Sequence, residues 1–397
     1  MPELSQLMQT PNVLAQDYQH AAVGARIMLT GHIHQAIPDV AALAYTQHWD
    51  CLNRYGEERF EEEFAVVERV RAGFAGLIEA KAANIALATS VHDLFVRFLS
   101  ALPLQARPKI VASDAEYPSV ARQLARLAEA GIEVVLEPAN PASTLVERLA
   151  RHIDGRTAAI CASSVNFETG HQSLELDTLM PLCAAEGVEL FVDAYHSINV
   201  LSFSVADYNL EQAFVVGGGA KYCQMGSGIA FMHVPPGRDF RPVVTGWFGE
   251  YDPVVDSPAQ TPLAYADGAV RFGGSSQDML PVFRAAHVFD FFASRNLTPE
   301  FLDEVHHHQL AHLAKCFTDA CFAPEQIALS TAVEYMGGFL SFNSPHAQQL
   351  SEAMRDRGVH TDFRKQWLRM GPAPYLCDEQ LEDAIGALAE AVQEVCG

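Results

Sequence analysis

The segments PKIVASD (108–114), SVARQLARLAEAG (119–131), IEVVLEP (132–138), TLVERLARHIDG (144–155), TAAICASSV (157–165), LDTLMPLCAAEG (176–187) and VELFVDAY (188–195) decide the fold. Short apolar runs alternate with stretches whose apolar residues fall three and four apart, the rhythm of strand, helix, strand. Such βαβ units build a mostly parallel sheet with helices on both faces, so the chain reads as α/β. Upstream, ERFEEEFAVVERVRAGFAGLIEA (58–80) carries the same helical spacing, and the reading is one amphipathic helix over about 50–83. Residues 1–45 include MLTGHIHQAIPDV (28–40), where Gly31 and Pro38 break any periodicity, and are expected to form an arm packed on the body. Residues 46–279 then form the large domain. A helical pattern from Leu280 to Phe292, the strand-like GGFLSFNS (337–344) and the amphipathic EQLEDAIGALAEAVQEV (379–395) mark a smaller C-terminal α+β domain over 280–397.

Composition excludes several classes. Of 397 residues, 26 are basic and 49 acidic, and a net charge of -23 repels nucleic acid and anionic lipid surfaces. No stretch reaches the roughly 18 apolar residues of a membrane span. Eight cysteines show no C-x-x-C pair, and the first residues lack a basic segment followed by an apolar run, so a soluble cytoplasmic protein with reduced thiols is expected.

In a parallel sheet, ligands gather beyond the carboxyl ends of the strands. In ALATSVHDLFVRFLSAL (86–102), Thr89 and Ser90 precede a helix, and either bind a phosphate at its positive end or simply cap it. In SDAEYPSVARQ (113–123), Tyr117 either stacks on a flat ring or packs in the core. VELFVDAYHSINV (188–200) ends a buried strand in Asp193, with His196 three residues on; the carboxylate needs a cationic partner, a protonated ring nitrogen or a structural Arg. AFVVGGGAKYCQMGSGIAFMHV (213–234) holds Lys221 in a Gly-rich turn that fits neither a Walker A loop nor a dinucleotide turn. A desolvated amine there suits a Schiff-base lysine, and a solvated surface lysine is the plain alternative. Histidines at 306, 307, 308 and 312 include a pair four apart, yet no carboxylate or cysteine at matching spacing completes a metal set, so no metal is expected. His32 and His34 in TGHIHQ are likewise a poor metal pair that could line a cleft.

Asp193-x-x-His196 followed by Lys221 in its Gly-rich turn resembles the core of the class V, fold-type I enzymes that use pyridoxal phosphate (PLP). The likeness is widest with kynureninases. ATSVHDLFVRFLSAL resembles their phosphate-binding segment, SSVNFETG (163–170) their H-V-N-[YF]-x-T-G, VDAYHS their D-L-A-H-S, and KYCQMGSGIAF their K-Y-L-N-G-G-P-G. GWFGEYDP (246–253), GSSQDML (274–280) and DFRKQWLRMGPAPYL (362–376) are similar to three further segments in family order. The resemblance implies that Lys221 holds PLP, Asp193 pairs with its ring nitrogen, Tyr117 stacks on the ring, and Thr89 and Ser90 bind the phosphate. It also implies Asn166 and His196 near the 3-hydroxyl and ring edge, and Ser276 reaching the phosphate of the other subunit in a homodimer. Arg369 would clamp the carboxylate of an amino-acid substrate with a bidentate fork, and Trp247 would flank the pocket. The activity implied is hydrolysis of a Cβ–Cγ bond in an aryl-keto amino acid.

Two departures stand out: Val120 where kynureninases carry an acidic residue, and Ala220 where they carry a tyrosine before the lysine. Both favour the alternative of a class V aminotransferase, epimerase or lyase acting on another amino acid. A cysteine desulfurase is disfavoured, since none of the cysteines lies in a Gly/Ser-rich loop. A non-catalytic binding protein fits poorly with both Lys221 and Arg369 present.

Overall fold

A computed structural model describes residues 2–54, 56–173, 175–250 and 262–397. The chain opens with helix α1 (Leu4–Met8), strand β1 (Ile27–Met28), α2 (Leu43–Leu52) and α3 (Glu57–Leu77). The large sheet and its helices follow: β2 (Ile85–Ala88), α4 (Val91–Ala101), β3 (Lys109–Ser113), α5 (Pro118–Glu129), β4 (Glu133–Glu137), α6 (Leu145–Ala150), β5 (Thr157–Ser163), α7 (Leu179–Glu186), β6 (Glu189–Asp193), β7 (Phe214–Gly218) and β8 (Ala230–His233). The C-terminal part holds α8 (Leu280–Arg295), α9 (Pro299–Asp319), β9 (Ala328–Leu329), β10 (Leu340–Asn343), α10 (Ala347–Asp356), β11 (Val359–His360), β12 (Asp362–Arg364), β13 (Trp367–Met370) and α11 (Asp378–Cys396).

The seven-stranded sheet runs β2-β8-β7-β6-β5-β3-β4, and every pairing is parallel except those of β8 with β2 and β7. Strands β3, β6 and β7 are buried along their whole length, as strands covered by helices on both faces must be. Each buried Leu, Val or Phe in them contributes roughly 1.5–3 kcal/mol. Their carboxyl ends, at Ser113, Asp193 and Gly218, open on one edge of the sheet.

The second sheet, β12-β13-β10-β9, is antiparallel; α10 packs on it, α9 touches it where Phe317 meets Phe342, and α11 packs against α9 and α10. Helix starts follow local chemistry. Ser90 caps α4 by accepting from Asp93 N–H, Thr298 caps α9 by accepting from Phe301 N–H, and Pro118 and Pro299 occupy first-turn positions where a missing N–H costs nothing.

The single helix expected over 50–83 is two. Helix α2 ends at Leu52, and Gly56, at a φ of +61°, turns the chain before α3 begins. That positive φ is open to glycine without the steric penalty other residues meet. The N-terminal segment is stitched to the far end of the chain: β1 pairs in parallel with β11, and Thr30 bridges to Gly371. Leu7, Leu14, Tyr18 and Val23 are buried in the core beside it.

Candidate active site

At the carboxyl edge of the large sheet lies a cavity of about 370 Å³, lined by the residues after β2 (Thr89–His92), by Tyr117, Val120, Ser163 and Phe167, by Asp193, Tyr195 and His196, and by Ala220 and Lys221. Five strand-to-helix or strand-to-loop junctions, after β2, β3, β5, β6 and β7, converge there, as the crevice rule for open α/β sheets requires.

Lys221 is half-buried in the cavity wall. Its Nζ lies 2.5 Å from His196 Nε2, 5.0 Å from the centroid of the Tyr195 ring and 5.6 Å from that of Tyr117. Burial brings the ammonium down to about 7, against the opposing pull of the Asp193 carboxylate, and the nearby Arg369 charge lowers it further. At neutral pH much of the amine is therefore the unprotonated nucleophile.

Asp193 ends β6, and its Oδ1 accepts the Tyr195 N–H at 2.9 Å. Burial raises its pKa, and the Tyr195 N–H and Lys221 offset part of that rise. His196 is kept neutral by burial and by the charge of Lys221, and among the described residues its buried Nδ1 has no hydrogen-bond partner. A second carboxyl, Glu116, is fully buried behind this group: Ser113 and Ser163 hydroxyls each donate to it at 2.6 Å. Burial raises it to about 7, with the charge of Asp193 adding to the rise.

Behind the cavity wall, Arg369 on β13 is only 3% exposed. It donates to Phe167 O and to Asp362 Oδ2, and stands 5.5 Å from the Phe339 ring, while among the described residues its buried Nε has no partner. His32 from the N-terminal segment stacks on the same Phe339 ring at 4.4 Å and places Nε2 3.6 Å from Asp362. Burial lowers His32 to about 3, so it sits there as a neutral imidazole. Burial alone would raise Asp362, but His32 and Arg369 together hold it well below the usual carboxylate range. His34 is exposed, so the two histidines of TGHIHQ divide between interior and surface, and Ile33 between them lines the cavity.

Thr89, Ser90, Tyr117, Asp193, His196 and Lys221 all line the one cavity. Thr89 donates to Asp93, and Ser90 serves as the α4 cap, so the capping reading holds for Ser90 while both hydroxyls still face the cavity. Asn166 lies off its wall: its Oδ1 accepts from Glu168 and Thr169 N–H and closes a tight turn, and Phe167 takes the wall position. Ser276 is exposed and Trp247 is 49% exposed against Phe60 and Phe248; neither lines the cavity within one chain. Tyr251, Asp252 and Pro253 of the GWFGEYDP segment lie outside the described residues.

Sequence reading overlooked Tyr195, Glu116 and Asp362, although each lies inside a quoted segment. Tyr195 answers one departure directly. Ala220 has only a methyl to offer, and its N–H donates to the Tyr195 hydroxyl at 3.1 Å, so a phenol reaches the backbone just before Lys221 from the loop after β6.

The residues fit PLP: an activated amine, a carboxylate at a strand end, a neutral imidazole with an unpartnered buried nitrogen, and the start of α4 with two hydroxyls for an anion.

Comparison with known proteins agrees with this arrangement. Residues 301–388 match the family model of the kynureninase C-terminal domain. The chain is 26% identical over 360 residues to a kynureninase of Deinococcus radiodurans, covering 86% of this chain and 82% of that one. It is also 26% identical over 349 residues to a kynureninase of Pseudomonas fluorescens, covering 81% and 78%. Among solved structures, a mutant of C-DES with glycine covalently linked to its PLP cofactor superposes with a TM-score of 0.83 at 16% identity, over 95% of this chain and 99% of that one. A cysteine desulfurase from Thermococcus onnurineus superposes at 0.78 with 15% identity, over 97% and 98%. The mostly parallel seven-stranded sheet, the smaller C-terminal sheet and the lysine beyond the strand ends form the fold of these solved structures, and over most of its length the chain is similar to kynureninases.

Proposed function

We propose that this protein is a PLP-dependent hydrolase that cleaves the Cβ–Cγ bond of an aryl-keto amino acid such as kynurenine. The observation that carries the reading is the cavity lined by Lys221, Asp193 and His196, with Arg369 set behind its wall, bonded to Phe167 O and, like His196, beside the Phe339 ring. Bound PLP supplies the electron sink on which bond cleavage next to an amino-acid α-carbon depends.

The chain's own groups then have defined tasks. Lys221, with its pKa near 7, can take up and return a proton close to neutral pH. Asp193, fixed by the Tyr195 N–H, offers a buried negative charge for a cationic ring nitrogen. Thr89, Ser90 and the α4 N-terminus favour a phosphate dianion. Arg369, whose terminal nitrogens are held by Phe167 O and Asp362, carries a planar guanidinium suited to a substrate carboxylate, and among the described residues its Nε has no partner. Phe167 and Tyr117 present a ring face and edge to a flat aryl group.

Ser276 and Trp247, exposed and outside the cavity of one chain, support a homodimer in which each subunit completes the other's site. Among the described residues no helix is long and apolar enough to cross a membrane, and eight free cysteines support a reducing, cytoplasmic setting.

The test is direct. Purified protein loaded with PLP is incubated with kynurenine and with 3-hydroxykynurenine while anthranilate-type fluorescence is followed. Product fluorescence is expected; its absence with both substrates, in protein whose visible spectrum shows bound cofactor, would refute the assignment. Light scattering coupled to size exclusion is expected to give twice the 43.4 kDa chain mass.

A further inference from the structure

We propose that His308 and His312 on α9, together with Asp378 on α11, form a surface site for a divalent cation of the zinc class, with Glu382 as an outer partner. Along the sequence the histidine pair has no companion, but folding lays α9 against α11 and brings a second pair, Asp378 and Glu382, opposite it.

The two imidazoles are four residues apart, with parallel rings (8°) whose centroids are 5.9 Å apart. His308 Nε2 lies 2.9 and 3.2 Å from the two oxygens of Asp378, and His312 Nε2 lies 3.2 Å from Glu382 Oε1. One ligand atom from each of His308, His312 and Asp378 falls within 4.8 Å of the other two, the one such three-residue group among the described residues. Ligands about 2.0–2.2 Å from a tetrahedral ion are roughly 3.4 Å apart, so a shift of little more than about 1 Å closes the set. All three side chains are half-buried, neither locked in the core nor freely solvated, so that shift is open to them.

Two imidazole nitrogens and a carboxylate suit zinc, cobalt, nickel or copper rather than calcium or magnesium, which prefer oxygen cages. The net charge of -23 raises the local concentration of any cation. The rival account is a pair of histidine–carboxylate hydrogen bonds that join the helices without an ion. It explains each contact alone. It does not require the two imidazoles to aim the same nitrogen into one space shared with a carboxylate. A bound ion would tie α9 to α11 and so brace the C-terminal domain, well apart from Lys221.

The experiment uses PLP-loaded protein freed of metal by a chelator. Zinc is titrated against a chromophoric competitor, and cobalt is added separately for its visible spectrum. One ion per chain is expected, with a cobalt spectrum free of a thiolate charge-transfer band and the cofactor absorption unchanged. Losing even an outer-shell partner costs about 10–100-fold in metal affinity, so His308→Ala and His312→Ala should each weaken binding at least about tenfold. Metal-free melting curves establish that each variant folds, and Asp378→Asn, equal in size, carries the comparison should a histidine variant unfold. Zinc affinity unchanged in these variants, no zinc above background in the parent, or a thiolate band with cobalt would overturn the proposal.

Discussion

Lys221 shows how burial turns an ordinary side chain into a reactive one. In water the amine is protonated throughout the physiological range; here it sits near 7 because the charged form is denied solvent, and Asp193 restores only part of the loss. The rate at which the apoprotein takes up PLP should therefore rise as pH passes through about 7, since the neutral amine is the attacking form; a pH-independent uptake rate would contradict this. Lys221→Ala should abolish the visible absorption of the bound cofactor and reduce turnover to background. Glu116 is the opposite case, an acid raised to about 7 by burial. Its folded-state value exceeds its unfolded one, so the native state is favoured at low pH and loses stability as pH climbs from about 4.5 to 7. Glu116→Gln removes that loss. The variant should gain up to about 3 kcal/mol relative to the parent between pH 5 and 8, with little difference at pH 4, as read from denaturant melts at each pH.

At the level of elements, the site is the meeting of β6 and β7 ends. Gly218, the last residue of β7, lies against the Tyr195 ring: a Cβ there would stand 2.8–2.9 Å from ring atoms and the hydroxyl. The phenol that accepts the Ala220 N–H is thus accommodated by the missing side chain of its neighbour. Gly218→Ala should destabilise the protein by about 1–3 kcal/mol as Tyr195 is displaced, with a lowered Tm, and should weaken PLP retention because Lys221 follows the moved turn. Helix boundaries were less legible than strands. The pattern over 58–80 marks α3 correctly, but nothing in the periodicity shows that α2 is a separate helix, because apolar spacing continues through the Gly56 turn. The histidine run on α9 was likewise read as a bare helix face, since its carboxylate partners lie about 70 residues away on α11.

Across the whole molecule, the N-terminal segment closes the structure from the far end. β1 joins β11, Tyr18 donates to Gln224 beside the Lys221 turn, and His32 stacks over Phe339 next to Arg369. Deleting residues 2–28 would expose the partners of Leu7, Leu14, Tyr18 and Val23, each contributing roughly 1.5–3 kcal/mol. That sum rivals the whole 5–15 kcal/mol stability of a typical domain. The truncated chain should be largely unfolded by circular dichroism. Sequence alone determined the α/β class and the lysine, aspartate and histidine of the site, because strand periodicity and short-range motifs are local properties written in consecutive residues. Only the tertiary structure decided that the Tyr195 hydroxyl meets the Ala220 N–H, that Glu116 is buried close to Asp193, that His32 is buried beside Asp362 while His34 is exposed, and that α11 supplies the carboxylates facing His308 and His312. Those facts depend on which strand ends and helix faces packing brings within a few ångströms, and residues far apart in the chain carry no local sign of that proximity.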